Sequence, residues 1–292
     1  SRRQISQTAV QRKAKAGRTQ EIKNKKRRMK RYFVEFAYDG TNYHGWQIQP
    51  NGNSVQEELQ KALSTIIREN IEVVGAGRTD AGVPARRMTA HFETDAAIDC
   101  VQLAYKLNRL LPRDISVYGV RQVADDMHAR FSATLRTYHY YIHTRKNPFL
   151  HAYSCEMHYD LDFSLMNEAA AILLQTDDFA AFCKTHTDVK TTLCNVTEAV
   201  WTKDADDAWH FRISANSFLR NMVRAVVGTL IEVGRHRITI DQFREIIASV
   251  TPAHCHTLRR SPKTSKAPTS TITGRVAFIG PTMVMGRCFM AK

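Results

Sequence analysis

Gly75-Ala76-Gly77-Arg78-Thr79-Asp80-Ala81-Gly82-Val83-Pro84-Ala85, entered from the apolar run Ile71-Glu72-Val73-Val74, is the stretch on which the fold turns. The run reads as a strand, and the glycines after it permit positive φ and close approach of another backbone or a ligand. Gly75, Gly77 and Gly82 have neither the G-x-G-x-x-G nor the G-x-x-x-x-G-K-S/T spacing, which argues against a dinucleotide- or phosphate-binding loop. Instead the chain leaves a strand and presents Arg78 and Asp80 on a tight loop. A carboxylate held this way can act as nucleophile or base. A strand-end turn bearing a solvated ion pair has the same local features.

The elements around the loop decide the fold class. Tyr32-Phe33-Val34-Glu35-Phe36-Ala37-Tyr38 has strand composition, and Asp39-Gly40-Thr41-Asn42 turns the chain. Ser54-Val55-Gln56-Glu57 reads as a capping box opening a helix whose apolar face is Val55, Leu59, Ala62, Leu63, Ile66 and Ile67. A strand at 71–76, the loop, and a returning strand over Thr89–Glu93 follow. A second helix fits 99–110, with Val101, Leu103, Ala104, Leu107, Leu110 and Leu111 apolar, and stops at Pro112; Ile115–Val123 alternates as a strand. Two helices against one face of a mainly antiparallel sheet is an α+β layer, not a doubly wound sheet.

The second half repeats the theme. Tyr138–His143 reads as a strand and 164–175 as a helix. Val196–Thr202 and Trp209–Ser214 form a hairpin around Lys203–Ala208. Asn216–Gly234 reads as one long helix with Phe218, Leu219, Met222, Val223, Val226, Val227, Leu230 and Ile231 apolar, which places Arg220 and Arg224 one turn apart; another helix fits 239–249. The expected organisation is a basic extension over 1–28, α+β halves over 29–126 and 127–251, and an atypical basic tail over 252–292. Met29 reads as the natural start.

The net charge of +14 is unevenly placed. Residues 1–31 contribute +12 and residues 253–292 contribute +7, leaving the middle at −5. The pI therefore does not make the folded part a nucleic-acid binder; a binding surface there must come from local clustering of basic side chains. The apolar runs are too short and interrupted to span a membrane, and no signal peptide is visible. Six cysteines without a C-x-x-C pair point to reduced, cytoplasmic thiols. His254-Cys255-His256 does not have zinc-ligand spacing, so no metal is expected.

Five segments, in order, resemble the TruA-type tRNA pseudouridine synthases. They are Tyr38–Gln47, Ser54–Glu57, Gly77–Val83, Asp126–Tyr140 and Asn216–Leu230, within a match from about Lys30 to about Ser249. The resemblance implies an isomerase that needs no cofactor: uracil is detached from its ribose, turned, and rejoined through C5. It implies action on uridines 38, 39 and 40 of the tRNA anticodon arm, by a homodimer whose two clefts share one tRNA. Asp80 matches the family's essential aspartate, acting as nucleophile at the sugar or at the uracil, or as base in forming a glycal-like intermediate. Arg224 matches the arginine paired with that aspartate, against a reading as a solvated helix residue. Tyr138 matches the aromatic that stacks on the flipped base, against a sheet-core tyrosine. Arg78 matches the arginine that enters the RNA, against a loop ion pair with Asp80.

This chain departs from the family pattern at two places. Pro84 stands where the family usually has histidine, and no Gly-Leu-x-Leu strand is found after Thr251, which predicts an open edge within the sheet. The rival from another class is a tRNA-binding protein or chaperone of the same fold that has lost catalysis. A small-molecule hydrolase using Asp80 lacks a second acid or a histidine partner at motif spacing.

Overall fold

The computed structural model describes residues 29–50, 52–150, 153–183 and 191–249, and the backbone of 270–271 and 282–285. The segment 1–28, His254-Cys255-His256 and most of the tail over 252–292 lie outside the described residues. The first half runs β1 (Lys30–Tyr38), α1 (Val55–Ile67), β2 (Val74–Gly75), β3 (Ala85–Thr94), α2 (Cys100–Leu110) and β4 (Ile115–Val123). The second runs β5 (Arg136–His143), β6 (Cys155–Glu156), α3 (Phe163–Ile172), β7 (Val196–Ala205), β8 (Ala208–Ala215), α4 (Met222–Gly234) and α5 (Ile240–Ala248). Short strands β9 (Ser270–Thr271) and β10 (Thr282–Met285) follow.

The strands form one sheet in the order β4-β1-β3-β9-β10-β5-β8-β7, with β2 beside β3 and β6 beside β5. β1 is antiparallel to both β3 and β4, and β8 to both β5 and β7. Alternation sets the two faces. Tyr32, Val34, Phe36, Met88, Ala90 and Phe92 pack with Val55, Leu59 and Leu63 of α1 and Leu103 and Leu107 of α2. Tyr140, Ile142, Phe211 and Ile213 do the same with Met166 of α3, Val226 and Leu230 of α4 and Phe243 of α5. Thr282 registers with Arg87 on one side and Thr137 on the other. Arg87 and Thr137 belong to neither helix-side cluster, so both helical layers cover the same face. The fold is α+β, as expected.

The structure corrects several expectations. The gap predicted at the missing terminal strand is crossed by β10, parallel to β5 and antiparallel to β3, so the tail itself joins the two halves of the sheet. Its Met283-Val284-Met285 segment had strand composition without the family's sequence. α4 begins at Met222, not at residue 216. The reason is tertiary: Asn195 N–H donates to Asn216 Oδ1 at 2.8 Å and Asn216 N–H to Asn195 O at 3.1 Å, which ties 216 to the start of β7. Asn221 then sits at φ 66, in the left-handed region just ahead of the helix. Arg220 therefore precedes α4 and does not share a helical face with Arg224.

Smaller differences occur elsewhere. On α2, Leu103, Leu107 and Leu111 fix the buried stripe, which leaves Val101 77% and Leu110 50% exposed. Only Val74–Gly75 of the strand expected at 71–76 pairs with β3. The β7–β8 hairpin closes more tightly than expected, around residues 206–207. The helix expected at 164–175 ends at Ile172 and continues as a single 3-10 turn. Ser54 does cap α1, accepting the Glu57 N–H at 3.2 Å, but the Glu57 carboxylate turns forward to Lys61 at 2.8 Å.

Candidate active site

The loop between β2 and β3 is built onto the segment that follows β1. Trp46 N–H donates to Thr79 O at 3.2 Å, Gly82 N–H to Tyr43 O at 3.1 Å, and Tyr38 Oη lies 2.9 Å from Thr79 Oγ1. Val83 N–H closes the turn on Asp80 O at 3.1 Å. Gly45 adopts φ +95, and a Cβ there would stand 2.4 Å from Thr79 O. Gly82 adopts φ +76 in open space. Gly45 O and Trp46 O in turn accept the Val55 and Gln56 N–H groups that open α1. The Tyr38–Trp46 segment is thus a backbone cradle between the first helix and the Asp80 turn. Pro84 is buried immediately ahead of β3, where its fixed φ suits strand entry.

Asp80 meets the second half across the cleft. Arg224, in the first turn of α4, donates through Nη2 to Asp80 Oδ2 at 2.5 Å and through Nη1 to Asn221 Oδ1 at 3.4 Å. The Asp80 side chain is 56% exposed and that of Arg224 24%. The carboxylate is therefore fixed in direction yet reachable from solution. Asp80 pairs with Arg224, the partner the resemblance implied, and the alternative loop pair with Arg78 does not form; Arg78 is exposed on the turn.

Tyr138 stands beside the pair on β5, edge-on to Phe218 with ring centroids 4.9 Å apart. Burial first, and the Asp80 charge second, push its phenol up to about 12, so it keeps its proton at neutral pH. The three residues together form a carboxylate, a guanidinium and an aromatic wall at the junction of the two halves. Among the described residues no group of three His, Cys, Asp or Glu side chains is placed to hold a metal ion, and no helix is long and apolar enough to cross a membrane.

The model of a family described as tRNA pseudouridine synthase matches residues 36–132 and 169–267 of the chain. This chain belongs to the tRNA pseudouridine synthase family. The relatives agree. The tRNA pseudouridine synthase A of Bacteroides thetaiotaomicron is 59% identical over 221 residues, covering 75% of this chain and 82% of that protein. The protein of the same name from Porphyromonas gingivalis is 49% identical over 243 residues, covering 80% and 96%. That from Bacillus licheniformis is 41% identical over 215 residues, covering 72% and 87%.

One residue of this synthase-family site has no role in the sequence reading. Arg136, at the start of β5, donates to Asn216 O at 2.6 Å, Arg130 O at 2.7 Å, and Ala133 O and Ala76 O at 3.4 Å. It thereby joins the Asp80 loop, the segment between the halves and the entry to α4. Burial, with Arg130 nearby, lowers its pKa from the ordinary arginine value. The only sequence signal was a cation at the head of an aromatic strand, which does not distinguish a clamp from a solvated end.

Two predictions follow from this geometry. Arg224→Met is expected to lower turnover about 100-fold by freeing the direction of the Asp80 carboxylate. Because the pair is partly exposed, the same change should cost less than about 1 kcal/mol of stability. Arg224→Lys keeps the charge but not the fork, and should recover part of the loss. Rate and urea midpoint measured on the same preparations check both.

The second concerns His91, whose Nδ1 accepts the Ala129 N–H at 3.2 Å and whose neutral form is therefore required. Burial, with His128 and Arg31 nearby, pushes its pKa from 6.5 down to about 4, while Glu93 opposes the shift weakly. A depressed histidine stabilises the fold fully above pH 6.5, and that contribution is lost as pH falls toward 4. The urea midpoint should therefore fall between pH 7.5 and pH 5, and less so in His91→Gln.

Proposed function

We propose that Asp80 is the essential carboxylate with which this member of the family converts uridine to pseudouridine in tRNA, at positions 38, 39 and 40 of the anticodon arm. The observation that supports this reading is the Asp80–Arg224 pair, which joins the two halves beside Tyr138. In the reaction the bond from ribose C1′ to uracil N1 breaks and its electron pair leaves with N1. The base turns, C5 bonds to C1′, and the proton on C5 departs as N1 gains one. Atoms and charge balance within the nucleotide, so no cofactor is consumed. Asp80 acts as nucleophile at the sugar or at the uracil, or as base in forming a glycal-like intermediate. Tyr138 provides the face that replaces the stacking lost by a flipped base. Arg78 reaches into the RNA from the exposed side of the loop.

The halves that form the cleft are assigned to 29–126 and 127–251. Two copies act as a homodimer in the cytoplasm, their clefts sharing one tRNA. The test uses tRNA carrying tritium at uracil C5. Incubation with the chain alone should release tritium to water and yield pseudouridine in the nucleoside digest. Tight tRNA binding with no release would overturn the enzyme in favour of a binding protein of the same fold. Light scattering with and without tRNA tests the dimer.

A further inference from the structure

Phe131 is a large apolar side chain that neither core explains. It is 78% exposed, yet the turn that presents it is held on every side. His128 Nδ1 accepts the Arg130 and Phe131 N–H groups at 3.1 and 3.3 Å. Ser132 N–H donates to His128 O at 2.9 Å, and His128 N–H donates to Ser132 Oγ at 2.9 Å. The next residue inward, Ala129, is buried against Phe33 and Ala76. The His128 ring packs beside that of Phe131 with centroids 4.4 Å apart, and the Arg130 guanidinium lies 5.8 Å from the Phe131 centroid. An exposed phenyl adds little to stability, so bracing it in this way needs another reason.

The turn is also tied to the catalytic pair. Arg136, which clamps the Arg130 carbonyl, bonds Ala76 O ahead of the Asp80 loop and Asn216 O ahead of the Arg224 helix. The phenyl is thus positioned relative to both partners of the ion pair. A fixed phenyl, largely exposed, with a cation held over its ring matches an unpaired nucleobase and its phosphate. Bases of any identity stack on aromatic side chains, and arginine adds a charge contact to the backbone.

We propose that Phe131 and Arg130 form a stacking platform for an unpaired base of the RNA, separate from the base taken by Tyr138. This rests on the reading of the site as one that acts on RNA. Stacking is decided by the aromatic face and not by apolar bulk. In an Asp80→Asn background, a fluorescent anticodon-arm hairpin should bind about 10-fold or more weakly to Phe131→Ala and to Phe131→Leu. Phe131→Trp should bind as the parent does, and Arg130→Gln should weaken binding with a shallower salt dependence. A fully paired duplex should not distinguish the residue 131 variants, and their thermal midpoints should match the parent's. With Asp80 present, KM should rise while kcat holds.

Equal affinity of the leucine variant and the parent overturns the platform. So does equal weakening toward hairpin and duplex, or a change of oligomeric state without a change in hairpin affinity, which would make Phe131 a protein contact. Failure of the parent to release tritium from C5-labelled tRNA overturns the underlying reading. Release with an affinity indifferent to residue 131 overturns the platform alone.

Discussion

Asp80→Asn is expected to abolish tritium release, lowering turnover by at least about 1,000-fold, while tRNA affinity changes by less than about 10-fold. Asparagine has the shape of aspartate and can still accept a hydrogen bond from Arg224 Nη2, so the loop geometry should survive. It has no anionic oxygen to attack C1′ or to take a proton. The stability cost should also be small, because the Asp80 side chain is 56% exposed and no core residue rests on it. A destabilised protein would lose activity and binding together, whereas loss of the carboxylate separates them. Retained turnover in Asp80→Asn would remove Asp80 from the chemistry. Since asparagine slowly deamidates to aspartate, the measured residual rate should be compared before and after storage.

The first half was legible because its signals are local. Alternation in β1 and β4, the Ser54 cap and the stripe on α1 are decided within a few residues by side-chain period and hydrogen-bonding capacity. The beginning of α4 was not. Phe218, Leu219, Met222 and Val223 continue a helical period, and tertiary hydrogen bonds from Asn195 override it. Asp80 and Arg78 could be picked out from their glycine-rich setting, whereas Arg224 as the partner of Asp80 came only from the family resemblance. The ion pair to Arg224 spans 144 residues, and spacing within a loop says nothing about what a distant helix brings to it. Arg136 shows the same limit from the other side. Its four carbonyl acceptors are backbone groups from three separate segments, and any residue type could have supplied them. The tail strand β10 was hidden for a further reason. A short, central strand is fixed by the pairing edges that β3 and β5 offer, so its own sequence need contain little pattern.

Gly45→Ala should be strongly damaging, although it never touches the reacting groups. At φ +95 an alanine is strained by about 1–3 kcal/mol before packing is considered. Its Cβ would also lie 2.4 Å from Thr79 O and 3.1 Å from Asp80 C, both backbone atoms with no flexible side chain to move away. Relief requires pushing the Thr79–Asp80 peptide outward. That movement weakens the Trp46 N–H bond to Thr79 O and turns the Asp80 carboxylate away from Arg224. The expected loss is about 2–4 kcal/mol of stability, with turnover down about 100-fold in whatever fraction remains folded. Gly82→Ala separates the two contributions. Gly82 has φ +76, but an added Cβ meets nothing within 4 Å, so only the backbone strain of about 1–2 kcal/mol should appear. Urea midpoints and tritium release at a temperature where both variants are folded make the comparison. If Gly45→Ala matched Gly82→Ala in both measurements, close approach of Gly45 to the Thr79 carbonyl would not be what holds the Asp80 turn in place. The turn would then owe its shape to its own glycines and to the bond from Gly82 N–H to Tyr43 O.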